Sequence, residues 1–204
     1  MQDQIGSSHM TQGNLTSFTM DRFGCPNSAL ALNGGWTQVP SGLYLNTPEF
    51  TISVWMLPQQ VDIYARLIDF GDGPNLNNIF VSFSTAINTV PPTILFQPAF
   101  RIYWQTYYTQ ITSNQALKLN EWQFFAITFN QTIIRIYLNG TLAIEASHNI
   151  ILPFSLTRKS CYIGKSNWPG DGHSYSFLDD LRFYNKSLNQ AEIVDLMNQI
   201  GTSN

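Results

Sequence analysis

Charge is what this chain has least of: 11% of its 204 residues are Asp, Glu, Lys or Arg, and the formal net charge is −3. Without a broad basic surface there is nothing to neutralise phosphates or anionic lipid heads, so nucleic acid is not an expected partner. No apolar run approaches the roughly 18 residues of a membrane span. The sequence has no Gly-x-Ser-x-Gly, His-Glu-x-x-His, Walker loop or Cys-x-x-Cys, which removes common motifs of nucleophilic, zinc, nucleotide and dithiol chemistry. Of the three histidines, His9 falls in "GSSHM", which looks like a cloning remnant, while His148 and His173 remain as loop residues. Residues 1–10 also lack the basic start and apolar stretch of a signal peptide and are set aside, leaving 11–204 as one domain.

Cysteine is equally sparse. Cys25 and Cys161 are an even pair far apart in sequence, which permits one disulfide closing a long loop; the alternative is two buried thiols. Four sequons, at Asn14, Asn130, Asn139 and Asn185, add glycosylation acceptors. Together these features point to an extracellular or cell-surface protein.

Apolar residues make up 44% of the chain and aromatics 14%, enough for a full core. From Ser28 onward they fall into about eleven short runs bounded by Gly, Pro, Asn and Asp, which is strand chemistry. In "FTISVWM", Ile52, Val54 and Met56 share a core face, while Thr51, Ser53 and Trp55 share a partly open one. "NQTIIRIYLNGTLAIEA" reads as a hairpin with Asn139-Gly140 as its type I′ turn, and the preceding "EWQFFAITF" completes a meander over 121–146. "FRIYWQTYY" reads as one strand, with Tyr103 and Tyr107 on one face and Trp104 and Tyr108 on the other. One helix is expected in "SLNQAEIVDLMNQI", capped by Ser187 or Asn189, with Leu188, Ile193, Leu196, Met197 and Ile200 at helical spacing. So many one-sided strands with one short C-terminal helix give an all-β, antiparallel jelly-roll β-sandwich.

Four blocks carry a resemblance: "DRFGCPNSALALNGG", "LYLNTPEFTISVWMLP", "LNEWQFFAITFNQTIIRIYLNGTLAI" and "YIGKSNWPGDGHSYSFLDDLRFYNKSLNQAEI". In this order they resemble the laminin G-like, pentraxin-type domains of the concanavalin A-like superfamily, from about Asp21 to Leu196. The resemblance implies two curved sheets packed face to face, with "LDDLRFYN" as the closing strand whose Leu181 and Phe183 enter the core. It also implies a helix that covers one end of the sandwich.

Catalysis finds little support. A glycosidase needs two carboxylates roughly 5–10 Å apart across one bond, and the adjacent Asp179 and Asp180 of one strand should point to opposite faces. Asp180 then reads as a solvated edge charge. Asp179, at the inner edge, needs a partner. The resemblance implies a structural calcium held by Asp179 with Asp21 and the carbonyls near Gly24 and Asn33. The alternatives are backbone amides, Arg22 or Arg182. Asp69 and Asp72 in "IDFGDGPNLNN" form a weaker metal candidate, because Asp, Gly, Pro and Asn also make any tight turn.

Sugar sites pair an aromatic face with amide and carboxylate groups. Trp104, Tyr108, Trp168, Asp171, His173 and Tyr175 are the candidate ligand-binding residues. The expectation is a non-enzymatic extracellular recognition or adhesion module, most of all a lectin-like one, whose partner is a glycan or an extracellular protein and which holds calcium as a structural cofactor. A protein-adhesion module without glycan binding and a glycoside hydrolase-related domain are the alternatives.

Overall fold

The computed structural model describes residues 9–10, 12–60, 62–87, 93–104, 107–152 and 155–199. Its strands, in chain order, are β1 (Gln12–Thr19), β2 (Ala29–Val39), β3 (Phe50–Gln60), β4 (Arg66–Gly71) and β5 (Ile79–Ser82). There follow β6 (Thr85–Ile87), β7 (Thr93–Leu95), β8 (Ala99–Trp104), β9 (Tyr107–Thr112) and β10 (Gln123–Phe129). The chain then forms β11 (Ile133–Leu138), β12 (Thr141–Ser147), β13 (Ser160–Ile163), β14 (Tyr175–Tyr184) and the helix α1 (Gln190–Met197).

A twelve-stranded antiparallel sheet runs β12-β11-β10-β3-β14-β2-β13-β4-β5-β8-β9, with β1 added to β2, while β6 and β7 pair separately. It folds over on itself. Phe50 of β3 stacks on Phe129 of β10 and meets Phe100 of β8 edge-on at 6.1 Å, so the two halves of the sheet share one core. This is the expected sandwich. The core positions alternate as the pleat requires: Ile52, Val54 and Met56 point inward from β3, and Phe100 and Ile102 from β8.

The other face of β3 is covered, not open. Thr51 and Ser53 are fully buried, and Trp55 packs against a second cluster of Phe124, Ala126, Tyr137, Ile193 and Leu196. α1 therefore lies on the outer face of β3, β10 and β11. It starts where the sequence indicates: the Asn189 side chain accepts from the Glu192 N–H while Glu192 accepts from the Asn189 N–H, a reciprocal capping box. Ile200 lies outside the described residues. The meander is as read, with Asn139 and Gly140 both at positive φ, 48° and 75°.

Several expectations are corrected. "FRIYWQTYY" is two strands, not one: Trp104 pairs with Tyr107 and Tyr103 with Tyr108 across a hairpin. Tyr103 and Tyr108 therefore share a face, and Trp104 packs on the core side. β14 carries a bulge between Asp179 and Arg182, with Asp180 at φ 51°. The extra residue breaks the alternation, so Asp179 and Asp180 do not point to opposite faces. Leu181 packs partly against the core, but Phe183 remains 42% exposed although its ring stacks on Phe70.

Cys25 and Cys161 are free. Cys161 pairs with Val39 at one end of β2, whereas Cys25 precedes Ala29 at the other. Eleven residues of strand, roughly 30 Å, lie between them, and a disulfide needs Cα atoms within about 7 Å. Burial pushes the Cys161 thiol up to about 12, which leaves it without thiolate character.

Candidate functional site

The outer face of β4, β5, β8 and β9 carries the largest aromatic and ionic assembly that the candidate residues enter. In "FRIY" the pleat sends Phe100 and Ile102 inward, and so Arg101 and Tyr103 outward. In β5, Phe80 is fully buried yet lies outside the core cluster, because it faces the same outer surface. The rings of Phe80, Tyr103 and Tyr108 run nearly parallel, with centroids 6.1 Å apart for Phe80 and Tyr103 and 5.5 Å for Tyr103 and Tyr108. Trp168, from the loop between β13 and β14, closes over them at 5.3 Å from Phe80 and 5.4 Å from Tyr103. The stack ends in the open: Tyr108 is 63% exposed, with one ring face against Tyr103.

Beneath Trp168 lies an ionic hub. Arg66 is 2% exposed; its guanidinium sits 4.2 Å over the Phe80 ring and 5.6 Å from Trp168. Its Nη2 donates to Asp171 Oδ2 at 2.6 Å, and its Nε lies 3.6 Å from Asp69 Oδ2. Burial pulls the Arg66 guanidinium below its ordinary value, against the opposing pull of Asp69 and Asp171. Burial pushes Asp69 up, against Arg66 and against hydrogen bonds from the Asn167 N–H and the Asn167 and Asn78 amides, each 2.9 Å. Asp69 thus ties β4 to the two loops that frame the site. Ser166 Oγ donates to Asp171 Oδ2 at 2.6 Å and accepts from the Trp168 N–H at 3.1 Å, which fixes the Trp168 turn.

The structure gathers Tyr108, Trp168 and Asp171 into one assembly through shared neighbours: Tyr108 and Trp168 both meet Tyr103, while Asp171 is bonded to Arg66 and Ser166 beneath Trp168. His173 is at the rim, its backbone N–H donating to Asp62 Oδ2 at 3.1 Å. Trp104 is excluded by facing the core. Tyr175 pairs with Asn33 and Gln60 and lies against Gly34, and has no ring contact with the stack among the described residues. The sequence reading missed Tyr64, Arg66, Phe80 and Arg101. The alternation in "FRIY" was a usable signal for Arg101, whereas Phe80 sits in the uniformly apolar "IFV", where no period separates one face from the other.

The calcium candidates do not fit a cation. Arg22 ion-pairs with Asp179, and its Nη2 donates to Asp180 Oδ2 at 2.8 Å. A guanidinium therefore fills the place where the metal was expected. Asp21 Oδ1 accepts from the Phe23 and Cys25 N–H groups at 2.8 and 2.9 Å, as in an ordinary Asx turn. Gly24 belongs to that turn through its N–H to the Asp21 carbonyl. Asn33 is four residues beyond Ala29 on β2, about 13 Å along the strand. Asp72 likewise closes its own turn, accepting from the Lys159 N–H and Asn77 Nδ2. Among the described residues no three His, Cys, Asp or Glu side chains cluster closely enough to hold a metal. The sequon residues Asn14, Asn139 and Asn185 are exposed, and Asn130 is half-buried with its side-chain oxygen accepting from the Thr132 and Ile133 N–H groups.

A concavity of about 340 Å³ opens elsewhere, between Arg22, Trp55, Trp122 and the end of α1, and shares no lining residue with the aromatic stack. Among the described residues no helix is long and apolar enough to cross a membrane.

A family model, Laminin_G_3, described as the Concanavalin A-like lectin/glucanases superfamily, matches residues 32–194. No curated protein matches the chain in sequence. Among solved structures, domain 4 of AbnA, a GH43 extracellular arabinanase from Geobacillus stearothermophilus in complex with arabinotriose, aligns with TM-score 0.63 and 18% identity over 83% of this chain and 76% of that one. The binding domain of Paraclostridial Mosquitocidal Protein 1 aligns with TM-score 0.69 and 17% identity over 94% of this chain and 47% of that one. A botulinum neurotoxin type C structure, from a toxin whose cell entry depends on interaction with two ganglioside molecules, gives TM-score 0.69 and 14% identity over 94% and 46%. The chain spans about half the length of the toxin chains it matches. At these identities the likenesses establish the fold.

Proposed function

Because the chain belongs to the concanavalin A-like lectin/glucanases superfamily, in which one fold hosts many ligands, we propose its function from the site: a non-enzymatic, extracellular carbohydrate-binding module. One observation carries this reading. Tyr108 ends a stack of parallel rings with a face open to solvent, and at the other end of that stack Trp168 covers a hydrogen-bonded set of Arg66, Asp171 and Ser166. An open aromatic face takes the apolar C–H side of a sugar ring, and adjacent polar groups orient its hydroxyls.

The rigidity of the site supports the same reading. Trp168 is held by Ser166, the loop by Asp69 and Asn167, and Asp171 by Arg66, so little ordering entropy is left to be lost on binding. The likeness to a domain in complex with arabinotriose and to toxin binding domains agrees with a glycan ligand. A hydrolytic role is disfavoured by the carboxylates. Asp69 and Asp171 are partners of Arg66, and Asp179 and Asp180 are partners of Arg22.

The test is a glycan array followed by calorimetry on the bound sugars. Tyr108→Ala is expected to weaken binding roughly tenfold or more and to leave the melting temperature unchanged, since the ring is mostly exposed. Trp168→Ala should weaken binding and also lower stability, because it uncovers Phe80. A wild-type protein that binds no glycan, or binds one equally well after both substitutions, would overturn the reading.

A further inference from the structure

We infer that the sugar recognised at this site is acidic, and that Arg101 receives its carboxylate. The inference rests on the glycan reading above and specifies the ligand class.

Two guanidinium groups lie over Phe80: Arg66 at 4.2 Å and Arg101 at 5.8 Å. They are not equivalent. Arg66 ion-pairs with Asp69 and Asp171 and donates to the Tyr64 carbonyl, although its buried Nε, 3.6 Å from Asp69, makes no hydrogen bond. Arg101 shares the unpartnered buried Nε, but unlike Arg66 it has no carboxylate within ion-pair distance among the described residues. It lies near the rings of Phe80 and Tyr64, the latter at 5.9 Å, with Gln110 opposite it on β9 and Arg66 as a like charge nearby.

The other charged groups around it are already engaged. Asp69 and Asp171 face Arg66, and Asp62 accepts from the N–H groups of Ile63 and His173. A cation held on ring faces with no counter-carboxylate is short of one acceptor. A carboxylate supplies it best, because the planar guanidinium fork matches two carboxylate oxygens.

Register places this donor on the same strand face as the sugar platform. Arg101 and Tyr103 are two residues apart on β8, on one face, about 7 Å along the strand. Tyr103 is paired with Tyr108. A ring seated on Tyr108 or Trp168 can therefore direct an exocyclic carboxylate towards Arg101. Lys165 is a useful contrast. It also stacks on aromatics, Trp36 at 4.4 Å and Tyr162 at 4.5 Å. However, the register row Tyr162, Asp69, Phe80, Arg101 puts three strand spacings, about 14 Å, between Tyr162, on whose ring Lys165 lies, and Arg101. It is a cation on the same sheet outside the reach of that carboxylate.

The experiment uses the full chain on an array holding neutral oligosaccharides together with uronic- and sialic-acid-containing ones, followed by calorimetry of each bound acidic sugar against its methyl ester. Arg101→Gln, Lys165→Gln and Tyr108→Ala are compared with wild type. The expected result is binding of acidic members, a loss of about tenfold or more on esterification and in Arg101→Gln, little change in Lys165→Gln, and general loss in Tyr108→Ala. If neutral sugars or methyl esters bind as well as the acids, or if acid binding survives Arg101→Gln, the acidic-sugar inference fails while the glycan reading stands. If wild type binds no sugar, both fail. Equal losses in Arg101→Gln and Lys165→Gln would reduce the effect to general electrostatics and also overturn the assignment.

Discussion

At the scale of single residues, His148 shows how a side chain that looks chemical in sequence can be structural in the fold. Its Nδ1 accepts from the Ile150 N–H at 3.2 Å, which leaves the proton on Nε2, 2.8 Å from the Asn130 carbonyl oxygen. The ring stacks on Phe129 at 4.5 Å. Burial lowers the imidazole below its ordinary 6.5, only partly opposed by the Asn130 carbonyl. A second proton would have to enter at Nδ1 and would displace the Ile150 N–H. The unfolded chain therefore binds the proton more readily, so stability is full above about pH 6.5 and is lost as the pH falls from there through the lower folded value. Melting temperatures of wild type and His148→Gln across pH 7.5 to pH 5 should converge towards the acid end; parallel curves would show that His148 does not contribute the slope.

At the scale of elements, the strands whose residues alternate were legible and those defined by a turn or a crossing were not. β3, β10, β11 and β12 followed from period-two patterns and Asn139-Gly140. The β8–β9 hairpin was hidden because "YWQTYY" carries no glycine or proline to mark its turn. β1 was missed because "QGNLTSFT" is polar on both faces; what holds it is β2, with a register break at Leu15. That break explains Gly35. A Cβ there would lie 2.1 Å from the Asn14 carbonyl oxygen and 2.3 Å from that of Leu15, both backbone atoms. Gly35→Ala should therefore detach part of β1, at a cost of about 1–3 kcal/mol. Hydrogen exchange should show protection lost in β1 and retained in β3 and β10; loss throughout the sheet would mean that β1 is part of the cooperative core.

At the scale of the whole molecule, Arg22 does what the sequence reading gave to calcium. One guanidinium holds two carboxylates and the Gln199 carbonyl, at 3.1 Å, and its own stacking partners are Phe23 and Trp55. Burial pushes the Asp179 carboxyl up against the pull of Arg22, with Asp180 and Asp21 adding to the rise, which is the cost of crowding acids around one cation. Asp180 keeps Arg182 as a second partner at 3.0 Å, but Asp179 has no other ion pair among the described residues. Removing the cation should therefore cost more than removing the acid: about 3 kcal/mol for Arg22→Met against about 1 kcal/mol for Asp179→Asn, measured by urea unfolding. Calcium and EDTA should leave the wild-type melting temperature unchanged. A calcium-dependent rise that disappears in Asp179→Asn would return the site to the metal.

The same arginine joins residue 22 to residues 179, 180 and 199, and so clasps the turn after β1, the bulge of β14 and the segment beyond α1 at one corner of the sandwich. Such a clasp fails all at once: withdrawing the one side chain loosens three segments together, as drawing a pin frees every leaf of a hinge.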